Sequence, residues 1–266
     1  MARITIGMPV YNGAATIERA IAGLEAQTFG DFVVVASDNA STDSTPEVLA
    51  AWAARDHRVT VHHQAENLGT VGNFNYLITV AETDYFMWHA CDDQMSPDYL
   101  ERLCAVLDGD AGCGLAVGDI VKRDADGTEK RRVFPDLAGL SRLARVMTLL
   151  KRPRAPWIYG LFRSGELRAA YGRAVAFGFA WGADYVTLLP FILDDRIRGD
   201  NAATFHYRMT ASAKSPHRPG GGLAHMRFFG RYLRYNLAAF ADSRLGFVEK
   251  LLCLPFLLRH IARAIK

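Results

Sequence analysis

The chain has 266 residues, 50% of them hydrophobic, which excludes a disordered protein and leaves room for one large domain or two small ones. Its net charge of +3 is unevenly spread, because residues 223–266 contain eight Lys or Arg against two Asp or Glu, and the other 222 residues carry a net −3. A basic tail on a mildly acidic body indicates an anionic partner, either a membrane surface or a nucleic acid.

The spacing of the cysteines and the length of the apolar runs indicate the cellular compartment of the protein. The four cysteines are widely spaced and form no C-x-x-C pair, which predicts reduced thiols in a cytosolic protein. A strand pattern begins at Arg3 and leaves no room for a signal peptide. No apolar run reaches the roughly 20 residues that span a bilayer. We therefore expect a cytoplasmic protein, either free or peripheral on the inner face of the cell membrane.

Strands and helices alternate through the first part of the chain. Apolar runs predict strands at 4–10, 32–35, 59–63 and 85–88, and each run is followed by apolar residues at helical spacing. Four such repeats in about a hundred residues are typical of a parallel sheet with right-handed crossovers, so the predicted fold class is α/β.

Polar residues follow three of these strands: Tyr11 with Asn12, Asp38 with Asn39, and Asp92 with Asp93. Open α/β sheets bind ligands at the carboxyl ends of their strands. Two adjacent carboxylates repel each other unless a cation holds them, so the last pair suggests a divalent metal site. A solvated turn before a helix explains that pair by itself equally well. The chain has no G-x-G-x-x-G after its first strand and no P-loop, so a bound nucleotide would be held by side chains and a metal.

Five short segments, taken together, resemble a known family. Residues 8–12 (MPVYN), 27–28 (QT), 37–43 (SDNASTD), 66–69 (ENLG) and 90–93 (ACDD) have the order and spacing of the family-2 glycosyltransferases. The resemblance is strong from residue 3 to about 110 and continues more weakly to about 210. It implies the GT-A nucleotide-diphospho-sugar transferase fold, a mostly parallel central sheet with helices on both faces. It also implies an inverting enzyme that takes a sugar from a nucleotide diphosphate donor, with a UDP-sugar favoured.

The resemblance assigns a nucleotide-binding role to residues near the first two strand ends. Pro9 and Tyr11 would flank the nucleobase, and Asp38 would accept a hydrogen bond from its ring N–H. The alternative for Asp38 is a turn aspartate that bonds its own backbone. Asn39 stands where many relatives have a second Asp and would share that role, and Asn67 in the matching 66–69 loop is assigned to the nucleotide as well.

The same resemblance indicates which residues contact the metal and the diphosphate. Asp92 and Asp93 would be the D-x-D-like pair that contacts the ribose and a Mn²⁺ or Mg²⁺ ion, although Ala90 stands where the commonest form has its first Asp. Arg208 lies in a segment similar to a Tyr-Arg-x-His element, with Thr210 in place of the His, and would contact the diphosphate. The basic residues at 214–218 would reach it from a loop that closes over the donor.

The catalytic base must face the opposite side of the anomeric carbon from the metal, so we expect it elsewhere in the chain. Relatives often have Glu-Asp before an apolar helix, and Asp184 stands at that place. The alternative is a helix-start aspartate stabilised by the helix dipole. Asp119, at the end of a predicted strand, is a weaker candidate that would face the acceptor. We expect Asp194 and Asp195 to form a solvated helix terminus, and a strand-like run at 157–163 to close the acceptor side.

The C-terminal segment is basic and amphipathic. Arg227, Arg231 and Arg234 share one helical face, and the apolar run 251–258 is flanked by basic residues. This pattern suits an interfacial helix on an anionic bilayer. The alternatives are helices that pack on the catalytic domain or form a homodimer.

We therefore predict a GT-A catalytic domain over 1–214, with a nucleotide-sugar half to about 110 and an acceptor half from about 111, followed by a linker and basic helices over 215–266. The acceptor would be a saccharide or a lipid-linked molecule of cell-surface polysaccharide or glycolipid synthesis. A nucleotidyltransferase, the nearest rival, would need basic residues in the loop at 12–15, which has none. A non-enzymatic polyanion-binding protein would leave the strand-end carboxylates unexplained, so nucleic acid is not an expected partner.

Overall fold

The computed structural model describes residues 2–124, 127–208 and 219–263, and the structural statements below concern these residues. The strands are β1 (Ile4–Val10), β2 (Phe32–Asp38), β3 (Val59–His63), β4 (Tyr85–Trp88), β5 (Gln94–Met95), β6 (Leu115–Arg123), β7 (Glu129–Arg132), β8 (Leu161–Arg163) and β9 (Ile197–Arg208). The helices are α1 (Ile17–Glu25), α2 (Thr45–Arg55), α3 (Gly69–Val80), α4 (Tyr99–Gly109), α5 (Arg142–Lys151), α6 (Ser164–Phe177), α7 (Ala183–Leu193), α8 (Leu223–Asp242) and α9 (Phe247–Arg263), with a 3₁₀ helix at Ala155–Tyr159.

The first half of the chain forms the predicted parallel sheet. β1 lies between β2 and β4, β3 lies outside β2, and all three pairings are parallel. All four residues of β4 are buried, and they alternate between two cores: Phe86 and Trp88 face one side of the sheet, and Tyr85 and Met87 face the other. A strand that is covered on both faces needs apolar residues at every position, which is why its sequence is a continuous apolar run.

The second half extends the sheet with mixed pairing in the order β4-β8-β6-β9-β5, and β7 pairs with β6. The strand-like run predicted at 157–163 is only partly a strand, because Ala155–Tyr159 is a 3₁₀ helix and only Leu161–Arg163 pairs in the sheet. Pro156 in the first turn explains the difference, since its fixed φ suits a helix start and it has no N–H to give to a ladder.

β6 is longer than predicted, and this moves Asp119 from a strand end to mid-strand. Its buried carboxylate accepts hydrogen bonds from Arg131 Nε, the Phe134 amide and Asn201 Nδ2, each at 2.8 Å. Asp119 therefore ties β6 to the neighbouring β7 and β9 segments. The expectation that it ends a strand is wrong, and its position facing the acceptor stays a prediction.

Helices cover both faces of the sheet. α1, α2 and α4 pack on the face of β1 that carries Ile4, Ile6 and Met8, while α3, α6 and α7 pack on the opposite face. Asp195, after α7, is buried and paired with Arg145 and Arg198, so its expected place in a solvated terminus is wrong. The adjacent Asp194 accepts a 2.8 Å hydrogen bond from the Arg244 amide.

The two C-terminal helices pack on the catalytic half through one face each. Phe228 and Tyr232 of α8 and Leu257 of α9 belong to the same core as α6 and α7. The Tyr232 hydroxyl lies 2.8 Å from Nε2 of the buried His260 and joins the two helices. Of the helices in the described ranges, none is both long and apolar enough to cross a membrane.

Candidate functional site

The loops that follow β1 and β2 are locked together by hydrogen bonds. Asn12, with φ of 50°, accepts a 2.8 Å bond from the Thr42 amide through its side-chain oxygen, and its own amide donates to Ser41 Oγ at 2.9 Å. The Gly13 amide donates to Thr45 Oγ1 at 2.8 Å. The 8–12 and 37–43 segments are therefore a structural unit that fixes both strand ends relative to each other.

Asp38 is buried at the end of β2, and both of its oxygens have partners. Oδ1 accepts from the Ser41 amide at 3.1 Å, and Oδ2 lies 3.1 Å from His63 Nδ1. The first bond is the turn geometry that an aspartate makes with its own backbone. The second was not expected from the sequence. It arises because β2 and β3 pair in register, with Asp38 beside His63.

Asn39 and Asn67 join the β2 end to the start of α3. Asn39 Nδ2 donates to Asn67 Oδ1 at 2.9 Å, and Asn39 Oδ1 accepts from the Leu68 amide at 2.8 Å. On the β1 side Pro9 is half-buried, and the Tyr11 ring is 51% exposed. The predicted nucleobase residues thus lie at neighbouring ends of β1 and β2, and their contact with a nucleotide stays a prediction.

The Asp92–Asp93 loop follows β4 and is braced from α1. Gln27 Nε2 donates to the Ser96 carbonyl at 2.9 Å, and Gln27 Oε1 accepts from the Leu100 amide at 3.2 Å. The Thr28 amide donates to the Pro97 carbonyl at 2.8 Å, and Arg19 Nη2 donates to the Asp92 carbonyl at 3.1 Å. The 27–28 segment of the family resemblance therefore holds the chain just after the two carboxylates.

The donor set of this loop fits a hard divalent cation. Asp92 is partly exposed and Asp93 is 2% exposed, and both follow the carboxyl end of β4. Cys91 lies between them and β4. Burial, with a smaller effect of the Asp92 charge, raises the pKa of its thiol to about 12, so the thiol stays neutral and is a poor ligand. In the described ranges no three His, Cys, Asp or Glu side chains group as a complete metal site. Mg²⁺ and similar ions commonly take one or two carboxylates and complete their shell with water and phosphate, so the pair would hold a cation together with a diphosphate.

Asp184 lies in the first turn of α7, with most of its surface covered. Burial raises the pKa of its carboxyl to about 7. The turn that places it depends on Gly182, which has φ of 84°, and a Cβ there would come within 3.0 Å of the Tyr232 ring. The helix start predicted from the sequence is therefore confirmed, and burial outweighs the stabilisation of the charge by the helix dipole.

Two tyrosines connect Asp184 with the aspartate pair, and sequence reasoning did not single them out. Burial raises the pKa of Tyr159 and of Tyr207, and the charges of Asp92, Asp93 and Asp184 raise both further. Both hydroxyls are therefore within electrostatic reach of all three carboxylates. The Tyr159 ring stacks on Phe205 at 5.1 Å, which fixes its position over β9.

The structure thus brings together Asp92, Asp93 and Asp184, which are far apart in sequence. Arg208 is the last residue of β9, directly after Tyr207, and pairs with Arg123 of β6; its predicted contact with the diphosphate stays a prediction. Thr210 and the basic loop 214–218 lie outside the described residues. An aspartate pair able to hold a cation and a largely buried carboxyl with a pKa of about 7 would together suit displacement of a phosphorylated leaving group by a hydroxyl.

Comparison with known proteins places this arrangement in a family and a fold. A family model described as Glycosyl transferase family 2 matches residues 5–166. Glycosyltransferase GlyG of Streptococcus pneumoniae serotype 4 is 28% identical over 100 residues, which are 38% of this chain and 33% of that protein. The succinoglycan biosynthesis protein ExoO of Rhizobium meliloti is 34% identical over 143 residues, 54% of this chain and 40% of that protein. The matches thus span between a third and two fifths of the length of these relatives.

Solved structures share the fold over almost the whole chain. S. aureus TarS 1–349, in complex with UDP-GlcNAc, aligns with a TM-score of 0.74 at 17% identity and covers 98% of this chain and 73% of that one. Mannosyltransferase PcManGT from Pyrobaculum calidifontis, in complex with GDP-Man and Mn²⁺, aligns with a TM-score of 0.59 at 18% identity, with 98% and 73% coverage. At these identities the likeness concerns the fold, and the predicted α/β fold of the GT-A type is confirmed.

Proposed function

The chain belongs to glycosyl transferase family 2, and we propose that it transfers a sugar from a nucleoside diphosphate sugar to an acceptor hydroxyl with inversion at the anomeric carbon. The observation that carries the proposal is the meeting of Asp92, Asp93 and Asp184 around Tyr159 and Tyr207. A UDP-sugar is the favoured donor, because TarS, which shares the fold, binds UDP-GlcNAc. Synthesis of a surface polysaccharide is the favoured context, since ExoO acts in succinoglycan biosynthesis.

The donor would lie along the carboxyl ends of β1, β2 and β4. In this arrangement the exposed Tyr11 ring and Pro9 flank the nucleobase, and Asp38 accepts a hydrogen bond from it. Asn39 and Asn67 hold the rim of this pocket through their mutual hydrogen bond. Preorganised side chains of this kind reduce the entropy lost on binding.

Asp92 and Asp93 would orient the diphosphate through a shared Mn²⁺ or Mg²⁺ ion. When bound, the ion would neutralise the charge that develops on the leaving diphosphate. The role of the protein is to keep the two carboxylates in place, which the bonds from Gln27, Thr28 and Arg19 to the surrounding backbone achieve. Mn²⁺ is bound in the GDP-Man complex of PcManGT, which supports a divalent ion in this fold.

Asp184 would act as the general base. Its carboxylate takes the proton of the acceptor hydroxyl as that oxygen bonds to the anomeric carbon, and the bond from this carbon to the diphosphate oxygen breaks on the opposite face. The products are the glycoside with inverted configuration, the nucleoside diphosphate and a protonated Asp184. A pKa of about 7 suits this task, because about half of the carboxyl groups are ionised at neutral pH and the carboxylate is basic enough to accept a proton.

The test of the base compares Asp184→Asn with Asp242→Asn, a control at an exposed aspartate at the end of α8 that pairs with Arg173. We expect Asp184→Asn to bind UDP-sugar as tightly as wild type, by calorimetry, while turnover of the donor falls at least 100-fold. Asp242→Asn should keep the donor affinity and the turnover of the wild type. Turnover within a few-fold of wild type in Asp184→Asn would move the base to another residue.

The exposed side of α9 supports a peripheral membrane contact. Phe247, Val248 and Leu251 are 78%, 66% and 55% exposed, and Leu252 and Leu258 continue this apolar stripe along the helix. Exposed basic residues, among them Arg259, flank the stripe. An apolar stripe beside cations matches the surface of an anionic bilayer, which we propose as its partner.

Sedimentation with vesicles of phosphatidylglycerol and phosphatidylcholine tests this contact. Leu251→Glu combined with Leu252→Glu should abolish binding, whereas Leu223→Glu combined with Met226→Glu on the exposed side of α8 should retain it. If wild type fails to bind and instead forms a dimer that the first variant dissociates, the stripe is a subunit interface.

A further inference from the structure

Three arginines lie near one another around the start of the 3₁₀ helix Ala155–Tyr159. Arg132 ends β7, Arg152 follows α5, and Arg154 precedes the 3₁₀ helix Ala155–Tyr159. We call these three residues the arginine cluster. The end of β7 and the 3₁₀ helix are in contact, because the rings of Phe134 and Trp157 lie 5.6 Å apart, and only Pro153 separates Arg152 from Arg154.

The cluster has no acidic counterpart in the part of the chain that the structure describes. None of its guanidinium groups forms an ion pair or donates a hydrogen bond there, although most other arginines of the protein do. Arg154 is half-buried, and burial lowers its pKa, with the charges of Arg132 and Arg152 lowering it further. Three like charges held within electrostatic reach of one another repel, and a bound anion relieves that repulsion.

Tyr185, the residue after Asp184, lies between the candidate base and the cluster. Burial and the Asp184 charge raise the pKa of Tyr185, while the charges of Arg154 and Arg263 lower it. Tyr185 is therefore within reach of the carboxylate on one side and of the cations on the other. Arg263 also donates to the Lys151 carbonyl at 3.4 Å, which brings the last turn of α9 beside the residue that precedes Arg152.

We propose that the arginine cluster binds a phosphate group carried by the acceptor. The role of that molecule as acceptor rests on the proposed function, but the anion site does not. Phosphate is favoured over carboxylate because it presents more oxygens and more charge, which three guanidinium groups can share. The phosphate could belong to a lipid phosphate or to a phosphodiester polymer, which share this chemistry.

The direct test is an NMR titration of the ¹⁵N-labelled full chain, following the arginine Nε–Hε resonances. Single variants to Gln identify the signals of Arg132, Arg152 and Arg154. Inorganic phosphate should shift these three signals saturably, whereas chloride at equal ionic strength should not. The exposed Arg234 and Arg244 serve as internal controls and should respond to ionic strength alone. Equal responses of all five arginines would overturn the proposal.

Further arms of the titration distinguish the source of the phosphate. Geranyl phosphate represents a lipid phosphate, and glycerophosphoglycerol represents a phosphodiester. The compound that binds the cluster with the higher affinity indicates the class of the acceptor. Glucuronate tests a carboxylate ligand, and saturation by glucuronate at lower concentration than by either phosphate compound would overturn the phosphate assignment.

A transfer assay separates this proposal from the proposed function. The variant Arg132→Gln with Arg152→Gln should raise the KM for a phosphate-bearing acceptor about tenfold, at unchanged UDP affinity, relative to the charge-matched Arg234→Gln with Arg244→Gln. If the wild type transfers no sugar but its cluster binds phosphate, the proposed function is wrong and the phosphate site is still supported. If transfer occurs and both double variants have the wild-type KM, the acceptor phosphate does not lie at the cluster.

Discussion

The Asp38 carboxylate shows how the surroundings of one residue prepare a binding group. The Ser41 amide holds one oxygen and His63 lies against the other, so the carboxylate has little freedom to rotate. A carboxylate oriented in this way can accept a hydrogen bond from a nucleobase without losing side-chain entropy. His63 is thus a positioning residue for the proposed donor pocket.

Replacement of His63 by Phe tests this role. We expect about a tenfold weaker affinity for UDP, because Asp38 gains rotational freedom that binding must remove. The neighbouring His62→Phe serves as the control, since His62 contacts Tyr76 and not Asp38. Calorimetry on both variants gives the comparison, and equal affinities would show that Asp38 needs no help from His63.

The buried Asp184 should make stability depend on pH. Its folded-state pKa of about 7 exceeds the unfolded value near 4, so its contribution to stability is fully present below about pH 4 and is lost as the pH rises through about 7. Asp184→Asn should therefore raise the free energy of unfolding by on the order of 4 kcal/mol at pH 8 and by less than about 1 kcal/mol at pH 4.5. Urea unfolding at both pH values measures this difference. An equal effect at both would mean that burial does not perturb the carboxyl.

At the residue scale, sequence reasoning could place the carboxylates but not the groups between them. Asp92 and Asp184 stand at element boundaries, where spacing and polarity mark them. Tyr159 lies in an apolar run and carries no such signal, and Tyr207 is marked only as the neighbour of Arg208 in the segment similar to a Tyr-Arg-x-His element. They meet only because a 3₁₀ helix and β9 converge over Phe205, which is a long-range packing event.

Among the elements, the α1 end and the loop after β4 act as one unit. The Gln27 side chain satisfies the Ser96 carbonyl and the Leu100 amide, and it is itself almost fully buried. Its removal would leave the buried Leu100 amide without that partner, a loss that costs roughly 1–3 kcal/mol. The loop that carries Asp92 and Asp93 would also lose its brace.

We expect Gln27→Ala to lower the free energy of unfolding by about 2 kcal/mol and to weaken donor binding as well. Thr83→Val is the control, because Thr83 Oγ1 also donates to a buried side chain, Thr5 Oγ1, at 2.8 Å but lies at the opposite end of the sheet from the aspartate loop. Urea unfolding and UDP calorimetry on both variants separate the effects. Lower stability with unchanged binding in Gln27→Ala would confine its role to the fold.

The sequence predicted the four β-α repeats but not the short strands. Regular periodicity over many residues marks β1 to β4 and the helices that follow them. β5 has two residues, and it is a strand only because Gln94 and Met95 pair with His206 and Phe205. The pairing partner is more than a hundred residues away, so local sequence carries no signal for it.

In the molecule as a whole, the C-terminal helices pack on the core and also expose an apolar surface. The sequence left three destinations open: membrane, catalytic domain or second subunit. The structure packs one face of α8 and α9 on the core, through Phe228, Tyr232 and Leu257, and leaves the stripe from Phe247 to Leu258 exposed. Because α9 is apolar on both faces, the periodicity of its sequence could not show which of these three surfaces it contacts. The predicted division into a domain over 1–214 and an extension over 215–266 stays a prediction.

The central claim is that the strand ends form a metal-assisted site for a nucleoside diphosphate sugar. Calorimetric titration of the full chain with UDP, in Mn²⁺ and again in chelator, tests it most directly, with GDP and dTDP as comparators and Asp92→Asn as the variant. The account predicts saturable UDP binding that weakens at least tenfold without the metal, and no such difference in Asp92→Asn. Equal affinity of the wild type with and without Mn²⁺, or no binding of any of the three nucleotides, would contradict it.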